Sequence, residues 1–357
     1  MNSKGTLRYV FASSHTSQGF HTFIPELIAG LPRVYILKGA AGSGKSTFIR
    51  LLGEALYEQG YEVEFWVSAT DGISLDGVYL PQLQAAVVNG SLPTPVDPEY
   101  PGSQAEIINL GEYWDKAAID DHRHNIVNQV ETYQRHHIQA ISHLKVASRL
   151  KEEVKKTAAS RLNLKKISQL VEKLAGEIME NQAAEKHYFA SVVTTEGMIN
   201  YLDQISTDCR RRYIFKGPTG SGKSTVIREV AERARQKGYL LEYYHCGIEV
   251  ENIVMVIVPY LQLALIDAGN IEIGMRPWDI IIDMNICLDD GKIDYNDDIA
   301  NENIRSIESL LLDVQNELQA ADNAIKQIKK VYSAAMDFGA IDDRRNQVRE
   351  ELTRRTT

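Results

Sequence analysis

Cysteine is scarce in this chain of 357 residues: Cys209, Cys246 and Cys287 are the full set, with no C-x-x-C pair. They build neither a disulfide framework nor a zinc knuckle, so buried, reduced thiols in a cytoplasmic protein are expected. Basic charge is short as well. A formal net charge of −9 leaves no overall basic footprint and argues against nucleic acid as the main partner. Long hydrophobic runs are missing. The opening MNSKGTLRYVFASS has no apolar core of a secretory signal. The most apolar stretch, from Ile253 to Ile266, is too short to span a bilayer and contains Pro259 and Gln262. It reads as two buried strands flanking a connection, and no membrane association is expected.

What is present occurs twice. Gly39-Ala40-Ala41-Gly42-Ser43-Gly44-Lys45-Ser46-Thr47 follows the apolar run Val34–Leu37, and Gly217-Pro218-Thr219-Gly220-Ser221-Gly222-Lys223-Ser224-Thr225 follows Tyr213–Phe215. Each reads G-x-x-x-x-G-K-S between a strand pattern and a helix pattern, the context of a phosphate-binding P-loop. The glycines let backbone N–H groups converge on phosphate oxygens, and the following helix adds its positive end. Lys45 and Lys223 are expected to reach the β- and γ-phosphates, and Ser46 and Ser224 to place a hydroxyl on Mg²⁺. A nucleotide's phosphates with Mg²⁺ are therefore the expected ligands.

The repeat extends well beyond the loop. Position 217 lies 178 beyond position 39, and the same offset carries Phe11-Ala12-Ser13 onto Phe189-Ala190-Ser191, Gly60-Tyr61 onto Gly238-Tyr239, and Pro81 onto Pro259. About eighty residues align without a gap, the mark of a tandem duplication. Helices are expected from about Ser46 to Gln59 and from about Ser224 to Lys237, each closed by a glycine. Continuous apolar runs alternating with helices predict an α/β fold: two doubly wound, mainly parallel sheets with helices on both faces. Each copy ends in a long charged stretch, about 114–185 and 301–357, read as a helical arm packed on or over the nucleotide domains. The expected units are 1–185 and 186–357.

Catalysis at such a loop also needs an acid for the metal and a group that places the nucleophile. Asp267 ends the apolar run Leu263–Ile266 and is the expected Mg²⁺ partner in the second copy; the first copy has Asn89 there. The first copy has instead two Asp-Gly steps, at Asp71 and Asp76, near the C-terminal edge of its sheet, where α/β ligands bind. Asp71 is a candidate base or metal-water partner and Asp76 a candidate contact to a second substrate, although Asp-Gly also marks ordinary turns. Their counterparts are Glu249, which retains an acid, and Val254. His136 and His143 on the first arm lack the further acid or Cys of a metal site. Arg123, Arg135, Lys145 and Arg149 read as a solvated face, with a lid over the phosphates as the alternative.

The doubled loop, Ser74-Leu75-Asp76-Gly77-Val78, Asp97-Pro98-Glu99-Tyr100-Pro101-Gly102, Asn109-Leu110-Gly111-Glu112 and Trp114-Asp115 together resemble a bacterial family of tandem P-loop ATPases, sometimes described as nucleotide-kinase-like. The resemblance implies ATP binding and hydrolysis and names no substrate. It also implies an acid at the position of Asn89, from which this chain departs. No L-S-G-G-Q, N-K-x-D or D-E-x-x motif points to a transporter engine, a GTPase or a nucleic-acid motor. Two functions are expected to compete. One is an ATPase or phosphotransferase with a small phosphate acceptor. The other is a nucleotide-gated switch with a protein partner. On sequence alone only the second site is fully equipped.

Overall fold

A computed structural model describes residues 4–159, 162–175, 184–269, 271, 273–288 and 298–354. The parts of the predicted arms at 160–161, 176–183 and 355–357 lie outside the described residues.

The first unit runs β1 (Leu7–Val10), β2 (Ser13–Thr16), β3 (Gly19–Thr22), α1 (Ile24–Ile28), β4 (Arg33–Lys38), α2 (Lys45–Glu58), β5 (Val63–Val67), β6 (Leu75–Leu80), β7 (Ala85–Asn89) and β8 (Ala105–Asn109). After the short α3 (Lys116–Asp120) its arm consists of α4 (Arg123–Ala159) and α5 (Leu164–Ala175). The second unit repeats the series as β9 (Ala184–Phe189), β10 (Ser191–Thr194), β11 (Gly197–Asn200), α6 (Leu202–Ile205), β12 (Arg211–Lys216), α7 (Lys223–Gln236), β13 (Leu240–His245), β14 (Ile253–Val258), β15 (Leu263–Asp267) and β16 (Ile280–Asp283). Its arm is α8 (Asp298–Ala334) and α9 (Phe338–Thr353).

Each unit is α/β and carries a mixed six-stranded sheet, in the orders β1-β5-β6-β7-β4-β8 and β9-β13-β14-β15-β12-β16. In both, one strand runs against the other five: β6 is antiparallel to β5 and β7, and β14 to β13 and β15. The sequence reading made these strands mainly parallel; α2 and α7 do separate β4 from β5 and β12 from β13. The pairs β6 and β7, and β14 and β15, instead follow one another through the 3₁₀ turns at Pro81–Leu83 and Pro259–Leu261, which makes them antiparallel. Side chains alternate across each sheet. Tyr35 and Leu37 face α2, while Val34 and Ile36 enter a cluster that also holds Ile214, Tyr244 and Ile266 of the other unit. A long helix therefore covers one face only. The second face is closed by the short α1 and α6 and by the other unit.

The units meet at their edge strands, through a Phe11–Phe189 bridge. Arg8 joins Glu242 (2.9 and 2.5 Å) and Glu64 (3.3 Å), which are repeat counterparts. Buried histidines lie nearby. His15 approaches His137 of α4 at 3.0 Å, and His187 approaches His245 at 2.8 Å. Burial, with His137 beside it, holds His15 down at about 3, and burial holds His245 at about 4. Both sit below the ordinary value of 6.5, so their stabilising contribution is full above pH 6.5 and is lost as pH falls toward these values. At roughly 1.4 kcal/mol per pH unit for each such group, acidification from pH 7.5 to pH 5 should lower stability by about 2 kcal/mol or more. His15→Gln should flatten that acid limb in urea denaturation; equal urea midpoints at the two pH values would contradict it.

The arms are exchanged. Helices α4 and α8 pack along each other, with the Trp114–Met336 and Leu162–Leu288 bridges tying each arm to the end of the opposite sheet. Beyond the trimmed loop the repeat offset is 174, since Ile280 corresponds to Glu106, and the two bridges are symmetry-related under it. Ile167, Val171 and Leu174 of α5 pack against Val226, Ile227 and Val230 of α7 in the second unit. Ile341, Val348 and Leu352 of α9 join Phe48, Ile49 and Leu52 of α2 in the first. The expectation that the arms pack over the nucleotide domains thus takes a crossed form, each arm lying on the other copy.

Candidate functional sites

Each glycine-rich loop turns from a buried strand into a fourteen-residue helix, β4 into α2 and β12 into α7. Neither helix has a side-chain cap, so its first N–H groups point into the loop's concavity without a side-chain acceptor. Close approach and a positive φ together favour glycine at two positions. At Gly42 (φ +94°) a Cβ would lie 2.6 Å from the carbonyl oxygen of Lys329, and at Gly222 (φ +87°) 2.7 Å from Ile167. Both neighbours come from the opposite arm. Gly39, Gly44, Gly217 and Gly220 also hold positive φ, and Ser43 and Ser221 are fully buried within the loops.

A cavity of about 530 Å³ opens beside each loop. The first is lined by Lys45, Ser46, Thr47, Asp71, Asp76 and Asn89, with Asp322, Lys329 and Phe338 from the second arm. The second is lined by Lys223, Ser224, Thr225 and Asp267, with Lys151, Lys155 and Leu162 from the first arm.

The loop lysines are folded back. Lys45 Nζ donates to the carbonyls of Gly39 (2.7 Å) and Ala40 (2.8 Å), and Lys223 Nζ to those of Gly217 (2.9 Å) and Pro218 (2.8 Å). Burial and the nearby Lys329 charge pull Lys45 down to about 8 against the opposing pull of Asp76; burial lowers Lys223 against Asp267, 3.8 Å away. The Ser46 hydroxyl accepts from the N–H of Leu75 at 2.8 Å, which ties the start of α2 to β6 beside Asp76.

The acids fall differently from the sequence reading. Asp76 is 3 % exposed, and among the described residues its Oδ2 has no hydrogen-bond partner. Burial first, then the Asp71 charge, pushes its carboxyl up to about 7 against Ser68, Asn89 and Lys45. In the ladder Gly77 faces Val88, which sets Asp76 opposite Asn89; in the second unit Met255 faces Ile266, which sets Val254 opposite Asp267. One cross-strand pair thus holds one carboxylate in each copy, on β6 in the first and on β15 in the second. The antiparallel turn is the signal that would have revealed this, and reading those strands as parallel concealed it.

Asp71 lines the first cavity but caps its own turn, accepting from Ile73 N (3.0 Å), Ser74 N (2.7 Å) and Ser74 Oγ (2.5 Å). Glu249 is outside the lining of the second cavity, yet it holds Lys151 and Lys155, each at 2.9 Å. Arg123, Arg135, Lys145 and Arg149 are all exposed, as a solvated face requires. Sequence reasoning missed the arm lysines that do reach the cavities, 151, 155 and 329. His136 pairs with Glu317 at 2.6 Å, and among the described residues no three or more His, Cys, Asp or Glu side chains group to hold a metal. Phe338 lies over Gly44, and Asp337 caps α9.

Comparison with protein-family models, with curated proteins and with solved structures finds no match. Among the described residues no helix is long and apolar enough to cross a membrane.

Proposed function

We propose that this chain is a tandem P-loop ATPase that binds ATP with Mg²⁺ at both loops. The observation that carries the reading is the recurrence, in each cavity, of the same three parts: a glycine-built strand-to-helix loop, a lysine folded back onto that loop and a carboxylate on a neighbouring strand. The resemblance drawn from the sequence points the same way. The cavity volumes fall within the range of small-molecule sites.

The residues fit the group. The orphaned Oδ2 of Asp76 is a ligand or water acceptor with nothing to accept from, and the loop amides and lysine are donors. Asp76 and Asp267 would hold Mg²⁺, which would supply neutralisation of charge on the phosphates. The chain supplies the rest. Lys45 and Lys223 exchange loop carbonyls for phosphate oxygens, Ser46 and Ser224 present hydroxyls at the helix starts, and Asp76 and Asp267 orient the metal or its water. The alternative function, a nucleotide-gated switch, draws on the contact of Lys329 and Phe338 with the first loop, because occupancy there would be felt directly by the arm.

Isothermal titration with Mg²⁺-ATP should give two nucleotides per chain, one lost with Lys45→Ala and the other with Lys223→Ala. Absence of binding, or binding unchanged in the double variant, would refute the proposal.

A further inference from the structure

We infer that each nucleotide site is completed by a lysine from the opposite unit's arm: Lys329 contacts the terminal phosphate at the first loop, and Lys155 does so at the second. The inference rests on the ATP-binding reading above and deepens it.

The two lysines are counterparts. Under the arm offset of 174, residue 155 corresponds to 329, and each lines the cavity of the other unit. Lys329 comes close enough that its backbone leaves no room for a Cβ on Gly42, and its charge acts on Lys45. Two ammonium groups are therefore gathered at one glycine loop. Of the carboxylates lining the same cavity, Asp71 is engaged by its own turn, Asp322 by Lys326 at 2.7 Å, and Asp76 acts on Lys45. Among the described residues Lys329 has no ion-pair or hydrogen-bond partner. Like charges brought together in a partly buried cavity repel, and an anion between them relieves that repulsion. A nucleoside triphosphate supplies such an anion at its terminal phosphate. A cation delivered from a separate element is the usual way to stabilise charge there.

The copies differ in how this cation is kept. Glu249 holds Lys155 and Lys151 at 2.9 Å, whereas its counterpart Asp71 is engaged by its own turn. The second site therefore carries a carboxylate latch on its arm lysine, and the first leaves Lys329 unlatched.

Single-site proteins separate the effects, with Lys223→Ala leaving only the first loop and Lys45→Ala only the second. Affinities for Mg²⁺-ATP and Mg²⁺-ADP are measured in each by titration calorimetry. Adding Lys329→Ala to the first, or Lys155→Ala to the second, should lower the ATP-to-ADP affinity ratio by roughly 10-fold, with Lys→Arg restoring most of it. Glu249→Gln in the second protein should raise that ratio several-fold. An unchanged ratio in either lysine variant overturns the inference, as does an equal loss of ATP and ADP affinity, the mark of a merely structural role. If the wild-type chain binds no nucleotide at all, the failure belongs to the proposed function instead.

Discussion

Asp76→Asn is expected to abolish turnover at the first site while making the nucleotide-free protein more stable. The carboxyl is buried, one of its oxygens has no hydrogen-bond partner among the described residues, and burial pushes it up to about 7 from 3.8. A carboxyl raised in the fold binds its proton more tightly there than in the unfolded chain. Its contribution is therefore present below pH 4 and is lost as pH rises toward 7. At roughly 1.4 kcal/mol per unit the ceiling is about 4 kcal/mol, and because the amide is itself a buried polar group the expected gain is about 2 kcal/mol. Denaturant titrations should show the variant ahead at pH 8 and level with the parent at pH 4. Activity, read in a Lys223→Ala background, should fall by at least 100-fold. A variant no more stable than its parent at pH 8 would remove the electrostatic argument; retained turnover would remove the metal role.

Lys45→Ala and Lys223→Ala should each remove one site, with losses of similar size. Each lysine is the loop's own cation, and losing a charge-assisted contact to phosphate costs about 2–4 kcal/mol, or roughly 30- to 1000-fold in affinity. The sequence alone predicts inequality, because Asn89 stands where Asp267 stands in the second copy. The ladder removes that reason by placing Asp76 across from Asn89. Steady-state hydrolysis by the two single variants should agree within about threefold. Near-parental activity in Lys45→Ala would restore the asymmetric reading.

The loops, the duplication and the helices behind the loops were legible because glycine spacing and the 178-residue offset are local facts of the chain. So were the strands on either side of Pro259. Strand direction was not legible. A strand buried on both faces shows the same continuous apolar run in either direction, and the tight turns at Pro81 and Pro259 resemble any loop start. The arms were readable as helices and unreadable as partners. The Ile167–Val171–Leu174 stripe says that α5 needs an apolar surface but does not say whose. Lys155 and Lys329 look in sequence like the exposed cations around them; only their place over the opposite loop sets them apart.

The crossed arms bear on how such a chain arises. A single copy would hold an arm with no loop of its own to cover, whereas two separate copies trading arms would close into a two-fold pair with self-complementary contacts. Fusing that pair end to end keeps the geometry and ends the need for identical halves. A carboxylate is then free to migrate from one strand to its neighbour in one half alone, and a latch to form at one loop alone. One covalent chain thus leaves its two halves free to differ, as Asp76 against Val254 and Asn89 against Asp267 do.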